Sequence, residues 1–262
     1  MNTLVLNGLL ALLFFLLSTA LFFFVVTRGA LLVRHLSLKE HAVSYVYPIY
    51  SNMRLIKLVD RQPITSALLL FQYHRLVATI VSDLRQLDLT NKKLLVTSCA
   101  FGNVIPRVVE AAASSGADQI LIVDIVHNEL INAQRKLAPF DSRVRYIEDN
   151  AAAMRQPDGL VAANVLFFLL HELPHPLKAQ VLNEAGRVLA RGGKLYIAEF
   201  HRPQISILRA LSWVYFKVFE PYGLALWDTD DPVSYLESMG GWTCHRITYF
   251  FGNFQVIIAT KQ

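Results

Sequence analysis

Two short segments contain side chains that could exchange protons with a substrate. His171-Glu172 follows one apolar run, and Glu199 and His201 lie at the end of another. Imidazole exchanges a proton near neutral pH, and histidine with glutamate can also bind a divalent metal. We therefore interpret His171, Glu172 and His201 as candidate catalytic residues, and the same residue types allow a divalent metal. Solvated loop residues or structural histidines are the alternative interpretation.

Asp124 is a candidate cofactor-binding residue. It lies at the carboxyl end of the apolar run 119–125, one residue before its last, and follows Gly102 by 22 positions. In dinucleotide-type folds, a carboxylate at about this spacing hydrogen-bonds the ribose hydroxyls of the ligand. The alternative is a helix N-cap, a role in which aspartate is also common.

The elements that must position these residues alternate along the chain. Helical patterns separate five apolar runs that indicate buried strands: 94–99, 119–125, 144–149, one within 160–170, and 194–200. Such alternation predicts a parallel sheet with helices on both faces and ligands beyond the carboxyl ends of the strands. Apolar runs on either side of Gly252-Asn253 predict a terminal antiparallel hairpin. The predicted fold class is therefore α/β, a doubly wound, seven-stranded Rossmann-like sheet.

The N-terminal residues predict a membrane anchor. Residues 2–27 contain no charged side chain, and about 20 apolar residues suffice for a helix to cross the hydrocarbon core. A cleaved signal peptide, the alternative, would need a basic first segment and a small-residue cleavage site. We expect one transmembrane helix within 1–33, a helical cap or juxtamembrane segment over 34–88, and the Rossmann-like domain over 89–262. Within the cap, helices are predicted at about 49–60 and 64–87.

The charge distribution argues against nucleic acid as a partner. The net charge is +5, but six basic residues against two acidic ones lie between positions 28 and 61, beside the predicted span. Basic residues flank the cytoplasmic end of a span, so we expect a single-pass protein of the cytoplasmic (inner) membrane with its catalytic domain in the cytoplasm. Two cysteines, Cys99 and Cys244, are too few for a disulfide scaffold or a Cys-rich zinc fold.

Several segments resemble a known family of transferases. The segment EAGRVLARGGKLYIAEF (184–200) resembles the class I S-adenosylmethionine-dependent methyltransferases, and the likeness covers about 92–262. The segments CAFGNVIPR, LFFLLHELP, AEFHRP and FGNFQVIIATK resemble more closely the rhodoquinone biosynthesis methyltransferase-like family. In that family a methyltransferase fold converts ubiquinone to rhodoquinone, with S-adenosylmethionine as the amino donor. The resemblance implies S-adenosylmethionine and a divalent metal as cofactors and a quinone or related membrane lipid as substrate.

The first loop of the sheet departs from the family pattern. Class I methyltransferases have D/E-x-G-x-G-x-G there, whereas this chain has Val96 at the acidic position and retains only Gly102. Losing a charged hydrogen bond of roughly 1.5–3 kcal/mol weakens or reorients binding by tenfold or more. The rhodoquinone-type proteins also lack the acidic residue and two glycines, although a chain that has lost cofactor binding would look the same.

The resemblance also assigns residues to the cofactor site. After the third strand, Asn150 or Asp149 is expected at the adenine amino group, with simple turn formation as the alternative. The full set of cofactor-binding residues that the resemblance implies is Ser98, Ala100, Gly102, Asp124, Asp149 and Asn150.

An amphipathic segment rich in aromatic residues follows the fifth strand. Apolar residues recur at helical spacing from Ile207 to Phe219, with Trp213, Tyr222 and Trp227 in or after this stretch. A helix packed on the core is the ordinary explanation of such a stripe. Beside a membrane anchor, the pattern also predicts an interfacial helix that covers the entrance for a lipid substrate.

Together these features favour a membrane-anchored, S-adenosylmethionine-dependent transferase that acts on a quinone or related membrane lipid headgroup. The alternative is a non-catalytic accessory subunit with a methyltransferase fold, bound to partner subunits of a membrane complex. A methyltransferase for another lipid or for a protein is a third hypothesis. Binding of S-adenosylmethionine separates the enzymes from the accessory subunit.

Overall fold

The computed structural model describes residues 3–24 and 48–262. The strands are β1 (Lys93–Thr97), β2 (Gln119–Asp124), β3 (Val144–Glu148), β4 (Val161–Phe167), β5 (Leu189–Phe200), β6 (Trp242–Tyr249) and β7 (Phe254–Lys261). The described α-helices are α1 (Thr3–Phe24), α2 (Met53–Val59), α3 (Gln62–Leu68), α4 (Tyr73–Leu84), α5 (Val104–Ser114), α6 (His127–Leu137), α7 (His175–Val188), α8 (Ser206–Val218) and α9 (Pro232–Met239). Short 3-10 helices lie at Pro48–Ser51, Ala138–Arg143, Leu170–Glu172 and Pro221–Trp227.

The strands form one seven-stranded sheet in the order β3-β2-β1-β4-β5-β7-β6. Strands β1 to β5 are parallel, and β7 pairs antiparallel with both β5 and β6. The predicted doubly wound α/β fold with a terminal hairpin is therefore confirmed. The strand order reverses at β1, between β2 and β4, so the switch point lies beyond Thr97.

Both faces of the sheet are covered, which explains the nearly continuous apolar strands. Leu94 and Val96 pack into one core cluster with residues of α4, α5 and α6. Leu95 packs into a second cluster on the other face with residues of α7 and α9. Parallel strands that are buried on both faces are apolar at nearly every position. Strands with one face in solvent alternate apolar and polar residues instead.

The helix predicted over about 64–87 is two helices. α3 ends at Leu68, α4 begins at Tyr73, and the two axes differ by 99°. Between them Leu70 and Phe71 have φ angles of 48° and 60°, a left-handed conformation that reverses the chain direction. The bend matters for the site because it buries the Tyr73 side chain against the first loop after β1.

The transmembrane helix predicted within 1–33 is not confirmed. In the described parts of the chain no single helix is long and apolar enough to cross a membrane, and the apolar segment Val5–Leu21 is shorter than a span. Taken together, α3 and α4 have the length and composition of a membrane span, but the two helices are separated by the sharp bend of 99°. The predicted boundary at 33–34 and the basic residues Arg28, Arg34 and Lys39 lie outside the described residues.

Candidate functional site

Two adjoining cavities lie at the carboxyl edge of the sheet. The first, of about 240 Å³, is lined by residues that follow β1, β2, β3 and β4, and we call it the acidic cavity. The second, of about 150 Å³, is lined by Phe167, Phe168, Phe200, Tyr215 and Phe219 among others, and we call it the aromatic cavity. Both cavities are lined by Tyr50, Ser98, Cys99 and Glu172, so they adjoin across these four residues.

Three carboxyl groups line the acidic cavity, those of Asp124, Glu129 and Glu172, whereas no lysine, arginine or histidine is among its described lining residues. Glu129 is only 2% exposed, and its Oε1 has no hydrogen-bond partner in the described part of the chain. Burial, with the neighbouring Asp124 carboxylate, raises the pKa of Glu129 to about 8. A buried polar atom without a partner points to a ligand that supplies one.

Asp124 connects the second strand to the first loop. Its Oδ2 accepts hydrogen bonds from the Cys99 backbone N–H at 2.6 Å and from the Ser98 hydroxyl at 3.3 Å, and its Oδ1 accepts one from the Val126 N–H at 2.7 Å. Burial raises the pKa of Asp124, and these donors oppose the shift. Because Val126 is the N-cap residue of α6, Asp124 both lines the acidic cavity and stabilises the start of a helix.

Of the residues predicted to bind the cofactor in the first loop, only Ser98 lines the acidic cavity. Ser98 has a φ of 73°, a left-handed conformation that is uncommon for serine. Ala100 lines the aromatic cavity, and Gly102 lines neither. Phe101 stacks on Tyr50 with ring centroids 5.9 Å apart and leaves the acidic cavity open.

The backbone donors that follow this loop are bound within the protein. The Gly102 N–H donates to Asp60 at 2.9 Å, and the Asn103 N–H donates to Gln62 at 3.1 Å. The Val104 N–H donates to the Tyr73 hydroxyl at 2.6 Å. Gly102 has a φ of 79°, and a Cβ there would lie 2.6 Å from the Tyr73 oxygen. The surviving glycine therefore serves close packing against α4.

The two residues after β3 differ in position. Asn150 lines the acidic cavity and Asp149 does not. Asp149 instead accepts hydrogen bonds from the backbone N–H groups of Asn150 and Arg155, each at 2.9 Å. Burial would raise the pKa of Asp149, but these hydrogen bonds lower it. Between the two predicted adenine contacts, the structure thus places Asn150 at the cavity.

His171 and Glu199 form a buried ion pair beside the aromatic cavity. The His171 Nδ1 lies 3.0 Å from a Glu199 carboxylate oxygen, and the His171 ring packs edge-on against Phe200. Burial alone would lower the pKa of His171, but the Glu199 charge raises it to about 9. The imidazole is therefore protonated at neutral pH and lies where it can donate a hydrogen bond into the aromatic cavity.

Glu172 occupies the boundary between the cavities. Its Oε1 accepts a hydrogen bond of 2.6 Å from the Tyr50 hydroxyl. Burial raises the pKa of Glu172 to about 8, and the neighbouring Glu220 acts in the same direction, whereas His171 and the Tyr50 hydrogen bond lower it. Glu172 can thus change its protonation state near physiological pH at the point where the two cavities meet.

His201 does not join these residues. It lines neither cavity; its Nδ1 lies 2.8 Å from the Gly252 carbonyl oxygen, and its Nε2 lies 3.3 Å from the Arg246 guanidinium. Burial and the Arg246 charge lower the pKa of His201. Among the described residues, no group of three or more His, Cys, Asp or Glu side chains is arranged to hold a metal ion.

Two residues of the site were not predicted from the sequence. Glu129 lies in the first turn of α6, and only its position shortly after β2 could have indicated it. Tyr50 lies 122 positions from its partner Glu172, and no local pattern marks it.

Comparison with known proteins gives a consistent match. The family model described as the ubiE/COQ5 methyltransferase family matches residues 56–239. Relatives include the ubiquinone/menaquinone biosynthesis C-methyltransferase UbiE of Shewanella pealeana, 31% identical over 147 residues that cover 55% of this chain and 57% of the relative. The demethylmenaquinone methyltransferase of Thermus thermophilus is 29% identical over 52% of this chain and 60% of its own. The chain thus spans about half the length of the curated relatives it matches.

Solved structures show the same fold at low sequence identity. An O-methyltransferase family protein from Burkholderia thailandensis has a TM-score of 0.59 at 14% identity and covers 82% of this chain and 62% of its own. A putative S-adenosyl-L-methionine-dependent methyltransferase from Methanococcus maripaludis has a TM-score of 0.54 at 14% identity and covers 86% of this chain and 98% of its own.

Proposed function

Because the chain belongs to the ubiE/COQ5 methyltransferase family, we propose that it transfers a methyl group from S-adenosylmethionine to the ring of a quinone or quinol with an apolar tail. The observation that carries this proposal is the pair of adjoining cavities, one acidic and one aromatic, at the switch point of the sheet. The expected class I methyltransferase family is confirmed, whereas the closer resemblance to rhodoquinone biosynthesis proteins is not.

The residues of the acidic cavity fit a positively charged nucleoside cofactor. Asp124 retains acceptor capacity for a ribose hydroxyl, because a carboxylate accepts about four hydrogen bonds and three donors reach it here. Asn150, which lines the same cavity, is the proposed contact to the adenine. Glu129 supplies a buried carboxyl oxygen without a partner among the described residues. We assign to it the ammonium group at the amino acid end of the cofactor, in place of the acidic residue that Val96 replaces.

The residues around the aromatic cavity would orient the ring and move its proton. S-adenosylmethionine supplies an electrophilic methyl group when bound, so the protein must position the acceptor and take a proton from it. Glu172 is the proposed base, since it lines both cavities and ionises near pH 8. His171, held protonated by Glu199, is the proposed donor to a ring oxygen.

Two finer proposals concern the reaction and the membrane. An exchange of a methoxy for an amino group, as the rhodoquinone-type resemblance implies, is the alternative reaction at the same two cavities. We also propose that α1 tethers the protein to the cytoplasmic membrane with the sheet in the cytoplasm. In support, its described side chains from Val5 to Leu21 are apolar apart from Asn7, Ser18 and Thr19, and they are largely exposed.

The accessory-subunit hypothesis has one observation in its favour. The backbone donors of Gly102, Asn103 and Val104, which precede and begin α5, are already bound by Asp60, Gln62 and Tyr73. A loop whose backbone N–H groups are hydrogen-bonded by the protein's own side chains needs no cofactor to be stable.

Isothermal titration separates the enzyme from the accessory subunit. We expect the full chain to bind S-adenosylmethionine and Asp124→Asn to bind it at least tenfold more weakly, because the variant loses a charged acceptor. Asp118→Asn, an exposed aspartate just before β2, is the matched control and should bind normally. Folded protein that gives no heat with S-adenosylmethionine or S-adenosylhomocysteine would support the accessory subunit instead.

A further inference from the structure

The apolar stripe of α8 faces solvent. Phe216 is the only fully buried side chain of this helix. Large apolar side chains one or two turns apart are exposed along one face: Ile207, Leu211, Val214, Tyr215 and Val218. The interpretation of this stripe as a face packed on the core is therefore wrong, and the helix presents an apolar surface that no described residue covers.

Two tight turns expose further large apolar side chains. Leu70-Phe71 and Phe250-Phe251 all have φ angles between 47° and 60°, a conformation that is unusual for bulky residues. Phe71 is 73% exposed and Phe251 is 59% exposed. Backbone strain of this kind persists where the surrounding structure fixes it, and it is commonest at sites of function.

These elements are joined into one surface. The Gln204 N–H donates to the Phe251 carbonyl at 2.8 Å, and the Ser212 hydroxyl on α8 donates to the Asn253 side chain at 2.8 Å. On the other side of the second turn, the Arg75 guanidinium of α4 lies 5.5 Å from the centre of the Tyr249 ring. We call this surface the apolar collar: Leu68, Leu70, Phe71, Phe251 and the exposed face of α8.

The aromatic cavity opens within the collar. Leu68 and Tyr215 both line the cavity and are 38% and 40% exposed, which places its mouth between α3 and α8. A ligand that enters there passes over apolar side chains.

The charges around the collar favour one occupant. Most of the collar belongs to two segments, 61–76 and 204–219. These segments contain no acidic residue and four basic ones: Arg61, Arg75, Arg209 and Lys217. The Lys217 ammonium lies 5.6 Å from the Trp213 ring centre, and Trp213 is 49% exposed. Tryptophan and basic side chains beside an apolar face are typical of segments that lie in the headgroup region of anionic bilayers.

We propose that the apolar collar docks onto the surface of an anionic lipid bilayer and that the aromatic cavity thereby opens directly to the acyl chains. An apolar-tailed ring could then reach the site without crossing water. This inference rests on the proposed function for the identity of that ligand, but the docking itself requires neither cofactor nor substrate. It is also separate from the proposed tether, because α1 could hold the protein at a membrane without bringing the collar into contact with it.

Quenching of Trp213 fluorescence by brominated lipids tests the proposal. The full chain is reconstituted into vesicles of phosphatidylglycerol and phosphatidylcholine, with bromine atoms on the upper acyl chain in one of two matched preparations. We expect bromination to remove at least about half of the Trp213 emission, defined as the difference between the wild type and Trp213→Phe. The triple variant Phe71→Glu/Leu211→Glu/Phe251→Glu should lose this quenching, and none of its three residues lines the acidic or the aromatic cavity. Ile131→Glu/Met239→Glu, exposed apolar residues elsewhere, should retain it.

Each other result would overturn the proposal. Unquenched Trp213 in chains that float with the vesicles would show that lipid does not cover the collar. The collar would then be covered by α1, by a second copy of the chain, or by nothing. Equal quenching in the wild type and in the triple variant would also contradict the proposal. If thermal unfolding shows that the triple variant has a folding defect, the three single glutamate variants are tested in its place. Titration of the same samples with S-adenosylmethionine reports separately on the proposed function. Failure of the docking proposal and failure of the proposed function can therefore be told apart.

Discussion

Glu129 is the residue that best explains how this chain could bind a cationic cofactor without the acidic residue of the first loop. Its carboxyl group is buried, shares the acidic cavity with Asp124 and Glu172, and has an oxygen without a hydrogen-bond partner among the described residues. Three carboxyl groups, with no basic residue among the described residues that line the cavity, favour a ligand that carries positive charge.

Glu129→Gln should therefore weaken binding of S-adenosylmethionine by about five- to tenfold, and binding of methylthioadenosine, which lacks the amino acid end and its ammonium group, by less. The pKa of about 8 means that Glu129 is mostly neutral at pH 7. The wild type should thus bind S-adenosylmethionine more tightly as the pH rises through 8 and release protons on binding. Titration in two buffers of different ionisation enthalpy measures both effects. Glu148→Gln, an exposed residue outside the cavity, is the control. Equal losses for both ligands would show that Glu129 does not bind the ammonium group.

The pH dependence of turnover should report on Glu172 and His171. The proposed base must be ionised, so the rate rises as the pH increases through the Glu172 pKa of about 8. The proposed donor must be protonated, so the rate falls above the His171 pKa of about 9. Because the Tyr50 hydrogen bond lowers the pKa of Glu172, Tyr50→Phe should move the rising limb to higher pH and leave the falling limb in place. A rising limb that stays in place or moves to lower pH would assign it to another group.

At the scale of elements, the first loop is held by the helices that precede the sheet. Tyr73 accepts a hydrogen bond from the Val104 N–H and donates one to the Phe101 carbonyl at 3.2 Å, and Gly102 lies against its ring. Lys136 contacts the Gly102 carbonyl at 3.1 Å and the Asp60 carboxylate at 2.7 Å. The segment before the sheet therefore belongs to the site.

Gly102→Ala tests this packing. The added Cβ would meet the Tyr73 hydroxyl, which is fixed by its own hydrogen bonds, in addition to the unfavourable left-handed φ. We expect a loss of about 2–4 kcal/mol in the free energy of unfolding. Gly192→Ala is a matched control, since Gly192 has a φ of 74° but nothing within 4 Å of the added Cβ; it should cost about 1–2 kcal/mol. Equal losses in denaturant unfolding would show that Tyr73 yields to the methyl group.

Across the whole molecule, the sequence predicted what depends on local pattern. The parallel strands were recognisable because residues such as Leu94, Leu95 and Val96 are buried on both faces, and Asp124 because it ends a strand. Contacts between distant segments were not predictable: Tyr50 reaches Glu172 across 122 positions, and His201 turns to Gly252 instead of to His171. Periodicity identified the apolar face of α8 but not what it faces, since a stripe packed on a core and one exposed at an interface have the same spacing.

Transfer of an isotopic label tests the central claim most directly. The full chain is incubated with a demethylated quinol and S-adenosylmethionine that carries a deuterated methyl group and an isotopically labelled amino nitrogen, and the acceptor is analysed by mass spectrometry. The two cavities predict an acceptor that gains the deuterated methyl group, with transfer reduced at least tenfold in Asp124→Asn. An acceptor with labelled nitrogen would instead indicate the amino-transfer reaction, and an acceptor with neither label, from protein shown to be folded, would contradict a transferase acting at these cavities.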